Sequence, residues 1–119
     1  MNSLFFSLEY FVNESQYVIR QKICDYIQNN LEYVNSINID NSISIDNNYI
    51  LNMRNNNTPG TNIEIQVACN IYKSKIIVYN NNNTKKEFIP TDTNYNKTYE
   101  IIKNNNFYKY VFNTLMDNF

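Results

Sequence analysis

Thr61-Asn62-Ile63-Glu64-Ile65-Gln66-Val67-Ala68-Cys69-Asn70-Ile71-Tyr72-Lys73-Ser74-Lys75-Ile76-Ile77-Val78-Tyr79 carries two periodicities in immediate succession. Thr61-x-x-Glu64 is a capping box: the threonine hydroxyl and the glutamate carboxylate each satisfy an N–H that a helix start leaves without a partner. Ile63, Val67 and Ile71 then recur at four-residue spacing, and Ala68 allows another element to approach closely. This spacing predicts a helix to about Tyr72. Ile76 to Tyr79 is a β-branched run of strand length, and Glu87-Phe88-Ile89 reads as its hairpin partner across Asn80 to Asn83. A helix feeding directly into a strand predicts an α/β or α+β domain with a small mixed sheet and helices packed around it.

Upstream the chain reads as helical. Leu4 to Phe11 is a short apolar segment that suits a helix burying Leu4, Leu8 and Phe11. Asn13 or Ser15 can cap a second helix running to about Asn30. In it Val18, Ile19, Ile23, Tyr26, Ile27 and Leu31 recur at helical spacing, while Arg20, Lys22, Asp25 and Gln28 are expected to face solvent. From Asn35 to Ser44 isoleucines alternate with polar residues, which suggests a strand or an extended loop. Asp46 can cap a short helix to about Arg54, and Pro59-Gly60 closes a loop from Asn55.

Downstream, Tyr99 to Lys103 and Phe107 to Phe112 read as two further strands joined at Asn104 to Asn106, with Leu115 and Met116 closing the chain. No repeat or linker divides residues 1–119, so a single domain is expected.

Composition excludes several classes. Ten basic and 11 acidic residues give a net charge of −1, so there is no strong footprint for nucleic acid or an anionic membrane. Lys73, Lys75, Lys85 and Lys86 are interrupted by the predicted strand and read as a solvated hairpin. No apolar run is long enough to span a membrane, and no secretory leader is visible, so a cytoplasmic protein with free, buried Cys24 and Cys69 is expected. Neither cysteine has metal-ligand spacing, and no metal or other cofactor is expected.

Counting along the sequence gives 26 asparagines and 16 isoleucines against one glycine. That skew reads as the codon bias of an AT-rich genome, such as that of a parasite or virus. The asparagine runs fall where turns are expected, since asparagine tolerates left-handed backbone angles better than other non-glycine residues.

Three separated segments together resemble the ovarian-tumour (OTU) family of cysteine deubiquitinases. That family has Asp-Gly-Asn-Cys-Leu-Phe followed by a helix of the type Val-Arg-x-x-x-x-x-Tyr-Ile. Here the chain reads Asn2-Ser3-Leu4-Phe5-Phe6-Ser7-Leu8, then Ile19-Arg20 and Tyr26-Ile27. The family's Trp-Gly-Gly-x-x-Glu-Leu-x-Ala helix becomes Pro59-Gly60-Thr61-Asn62-Ile63-Glu64-Ile65-Gln66-Val67-Ala68. Its C-terminal His-Tyr-x-x-Val strand appears as Phe107-Tyr108-Lys109-Tyr110-Val111. The resemblance implies an OTU-like cysteine-protease fold over nearly the whole chain.

It also implies where the chemistry would sit. Ser3 stands at the nucleophile position, Phe107 at that of the histidine, and Lys109 near the residue that orients it. The chain contains no histidine. Met1 falls on top of the loop whose N–H groups would build an oxyanion hole, and that loop is expected to be incomplete if Met1 is the true start. A serine needs a base even more than a cysteine does, because its hydroxyl is far less acidic. On these grounds the chain is expected not to be an enzyme: a catalytically degenerate member, a pseudoenzyme, with no catalytic residues. Its expected role is a protein-binding or scaffolding module, such as a fixed subunit of a ribosome or viral particle. Two alternatives stay open. One is a decoy or regulator that binds ubiquitin or a ubiquitin-like protein. The other is a protease of altered chemistry, with Ser3 as nucleophile and a lysine such as Lys109 as base.

Overall fold

The computed structural model describes residues 3–39, 42–105 and 107–110. Five helices precede four strands: α1 (Ser3–Val12), α2 (Gln16–Asn29), α3 (Leu31–Ile37), α4 (Asn47–Met53), α5 (Asn62–Tyr72), β1 (Ser74–Asn80), β2 (Lys85–Phe88), β3 (Lys97–Asn104) and β4 (Phe107–Tyr110). The sheet order is β2-β1-β3-β4, with β1 and β3 parallel and the two outer pairs antiparallel. This is the mixed α/β arrangement expected from the helix-into-strand stretch.

The capping signals act as the sequence suggests. Ser15 accepts from the Val18 N–H, Asp46 from the Tyr49 N–H, and Thr61 with Glu64 forms the capping box of α5. α5 is buried around most of its circumference, since Ile65, Val67, Ala68 and Cys69 all lack solvent contact alongside Glu64. The central strand β1 buries Ile76, Ile77 and Val78 together, so both of its faces are covered. Register pairs Ile77 with Glu87, and Glu87 takes ion pairs from Lys75 and Lys85, so two of the four lysines of the basic stretch are paired within its own hairpin, while Lys73 pairs with Asp92. Asn83 and Asn105 adopt positive φ of 68° and 57° in the two asparagine-rich turns. Asparagine occupies these turns where glycine would be the usual choice.

Two expectations are corrected. The stretch Asn35–Ser44 forms no strand among its described residues; the start of it completes α3 and the rest is loop, with Asp40 and Asn41 outside the described residues. The cause is a local bridge. The Asn35 amide donates to the Leu31 and Ile45 carbonyls and accepts from the Ile45 N–H, holding the loop closed where a strand would need a neighbour. Only Ile45 is buried, while Ile39 and Ile43 are exposed.

The second correction concerns α2. Val18 is exposed, whereas Arg20, expected to face water, is 1% exposed. α4 and the loop after it close over that side of the helix. The guanidinium donates to the Met53 carbonyl at 2.7 Å and the Asn56 carbonyl at 3.2 Å, and lies 3.9 Å from the centre of the Phe5 ring. The proposed strand to Phe112 is described as far as Tyr110. Val111, Phe112, Leu115 and Met116 lie outside the described residues.

Candidate functional site

The first described residue and the last described strand meet. The main-chain N–H of Tyr108 donates to Ser3 Oγ at 2.9 Å across a sequence separation of 105. Packing fixes this approach from both sides. Leu4, Phe5 and Leu8 anchor α1 in the core, and Tyr108 buries its ring at the start of β4. Farther along, Tyr10 stacks on Tyr110 at 4.7 Å, and Phe11 stacks on Tyr99 at 4.2 Å while meeting Tyr110 edge-on. The helix and the sheet edge are zipped together by aromatic pairs, each adding to simple burial.

Strand alternation decides where the other candidates point. Tyr108 and Tyr110 turn toward α1, so Phe107 and Lys109 lie on the opposite face of β4. Phe107 is 53% exposed and Lys109 is exposed too. The structure therefore brings Ser3 against the Phe107–Tyr108 peptide. It does not bury Lys109, and burial is what makes a lysine usable as a base.

The two thiols are elsewhere. Cys24 and Cys69 are free and 0% exposed, and burial pushes them up to about 11 and about 12. Both stay protonated near neutral pH and are shielded from reagents, so neither is the reactive kind of cysteine. The expected result with a thiol reagent such as Ellman's is silence from the native protein and two equivalents after denaturation. A native thiol reacting as fast as an unfolded one would contradict this burial.

Arg20 and Glu64 are both buried. Glu64 accepts from the Thr61 N–H, the Thr61 hydroxyl and the Tyr49 hydroxyl, each at 2.7 Å, and feels the charge of Arg20. Burial nevertheless pushes its carboxyl above the ordinary range, while the three donors oppose the shift. A raised carboxyl binds its proton more tightly folded than unfolded. Its contribution to stability is full below the unfolded value and is lost as pH rises through the folded one. The stability of the wild type relative to Glu64→Gln should therefore fall as pH rises from about 4. Melting curves across pH 4–7 check this, and a difference that grows with pH would refute it.

At the far sheet edge, a groove of about 360 Å³ is lined by residues that include Ile37, Ile63, Lys86 and Phe88; it does not include Ser3 or Phe107. Among the described residues, no group of three acidic, cysteine or histidine side chains could hold a metal ion. No helix among them is long and apolar enough to cross a membrane.

Comparisons with known proteins show the family and the fold. The family described as OTU-like cysteine protease matches residues 3–117. Three solved structures share the fold. The OTUD1 OTU domain has a TM-score of 0.74 at 13% identity, covering 94% of this chain and 79% of that one. An ovarian-tumour (OTU) domain in complex with ubiquitin has a TM-score of 0.72 at 17% identity, covering 92% and 62%, so this chain spans under two thirds of it. The viral OTU domain protease from Dera Ghazi Khan virus has a TM-score of 0.67 at 17% identity, covering 90% and 71%. No curated protein matches the chain by sequence.

These matches correct the expectation that the chain is not an enzyme. The matched family is one of cysteine proteases, and family membership points to enzymatic activity. That expectation ran from missing side chains and from a loop read as incomplete. The lack of an imidazole identifies a proton carrier that is not used, which is a narrower statement than the lack of a reaction. Side-chain reasoning also missed the Tyr108 N–H, because a main-chain group carries no residue-type signal.

Proposed function

Because the chain belongs to the OTU-like cysteine protease family, we propose that it is a ubiquitin-directed domain. In this reading it receives the C-terminal tail of ubiquitin, or of a ubiquitin-like protein, at the junction of α1 and β4. Ser3 stands at the nucleophile position and Phe107 at the position of the base, with Lys109 two residues on. The observation that carries the reading is the Tyr108 N–H to Ser3 Oγ bond, which joins the two motif segments that sequence resemblance pairs. Support for the partner comes from the similar OTU domain solved in complex with ubiquitin.

The test separates delivery of the tail from hydrolysis. Ser3→Cys places a soft nucleophile at the site, and ubiquitin with an electrophile at its C-terminus then reports whether the tail arrives. The expected result is one adduct of ubiquitin mass at residue 3, suppressed by excess free ubiquitin and absent from Ser3→Ala. No adduct, with no perturbation of ubiquitin amide resonances on titration, would overturn the reading. Hydrolysis is assayed on the unaltered chain with di-ubiquitin. With no histidine present, the pH profile of kcat/KM for that reaction should lack an imidazole limb near about 6.5.

A further inference from the structure

Among the described residues, β4 is the last strand at one end of the sheet. In an antiparallel pair, alternate residues turn their N–H groups to the neighbour and the rest turn them outward. An outward N–H on an edge strand has no ladder partner. The Tyr108 N–H is of the outward kind, because it reaches Ser3 Oγ and not β3. It does so beside a ring that is 3% exposed, where an unpaired N–H would be costly to leave bare. This main-chain donor meets one side-chain heteroatom and favours negative charge there.

We propose that the main-chain N–H of Tyr108 is a positioning group for residue 3, fixing the orientation of its side chain and stabilising its anionic form. The group is permanent, takes no part in proton transfer, and does not depend on any imidazole. Its bond to a neutral hydroxyl is an ordinary one, whereas its bond to an anion at the same place is charge-assisted and roughly twice as strong. The catalytic meaning of this donor rests on the reading of Ser3 as the nucleophile position; its existence and strength do not.

The test uses Ser3→Cys, whose new thiol is reported apart from Cys24 and Cys69 because both of those are fully buried. Alkylation by iodoacetamide between pH 5 and 10, followed by intact mass, gives the thiol's titration. The expected midpoint lies at least about one unit below the ordinary 8.5. The same variant is then made with the α-hydroxy acid analogue of tyrosine at residue 108, which replaces the N–H by an ester oxygen and keeps the ring. Everything else is common to both chains, so the difference reports the N–H alone. The midpoint should rise by about one unit, slowing alkylation at pH 7 roughly tenfold. Equal midpoints in the two chains, or a midpoint at or above 8.5 in the first, would overturn the proposal.

A second measurement holds if the ester chain does not fold. The Tyr108 amide should exchange with solvent at least about tenfold faster in Ser3→Ala than in the wild type, because its acceptor is gone. Unchanged exchange would also overturn it. Ubiquitin enters neither measurement. A failed ubiquitin adduct beside a lowered thiol midpoint would therefore sink the proposed function and leave this inference standing.

Discussion

Arg20→Ala is expected to lower the unfolding free energy by about 3–5 kcal/mol, read from urea or guanidinium curves. Arg20 is 1% exposed, and its guanidinium donates to two loop carbonyls, those of Met53 and Asn56. It also covers the Phe5 ring and faces the charge of Glu64. Truncation leaves the buried Met53 carbonyl without this donor, removes a second from the half-buried bond to Asn56, and takes away a charge that acts on Glu64; losing the partner of a buried polar group costs more than the bond itself. Arg20→Lys should recover little. A lysine offers a compact point charge where the site uses a planar fork to span two carbonyls. A loss below about 1 kcal/mol, within reach of an exposed ion pair, would show that the network carries far less than its burial implies.

Gly60→Ala is expected to cost about 1–3 kcal/mol, the range of overpacking in a well-filled core. A Cβ at residue 60 would lie 2.4 Å from Leu4 Cδ2 and 3.3 Å from both Leu4 Cβ and Cγ. Leu4 is itself 1% exposed. The position needs glycine for close approach, not for an unusual backbone angle, since Gly60 has no positive φ. The effect should also reach the site, because Leu4 is the neighbour of Ser3. Displacing Leu4 draws Ser3 Oγ away from the Tyr108 N–H, and misplacements of about 1 Å can cost about a hundredfold in rate. In the Ser3→Cys background, Gly60→Ala should therefore slow the ubiquitin adduct more than it slows reaction with a small alkylating agent. Equal slowing of both would detach Leu4 from site geometry.

Much of the fold was legible because its signals are local. The Thr61–Glu64 box, the Asp46 and Ser15 caps and the Ile76–Tyr79 run each depend on residues within a few positions of one another, so reading them needs no tertiary knowledge. Arg20 was misread for the opposite reason. Its partners are 33 and 36 residues away and are carbonyls, which any residue type supplies. The alternation at Asn35–Ser44 misled because period two predicts a strand only where another strand is free to pair, and here the Asn35 side chain closes a loop first. At the site, the motif segments pointed to the start of α1 and to β4, which the structure joins through Ser3 Oγ and the Tyr108 N–H, while the Phe107 side chain turns to the other face of the strand. The donor between them stayed invisible, since which N–H groups of an edge strand face outward is set by register.

The bond between residues 3 and 108 has a consequence for synthesis of the chain. α1 leaves the ribosome well before the strand that completes its packing, and Ser3 waits for a partner 105 residues later. Until then its aromatic flank at Tyr10 and Phe11 lacks the rings of Tyr99 and Tyr110. Contacts this distant in sequence form late and slowly. A nascent or prematurely terminated polypeptide thus presents a sticky helix for chaperones and degradation machinery, and only translation through β4 assembles the junction at all.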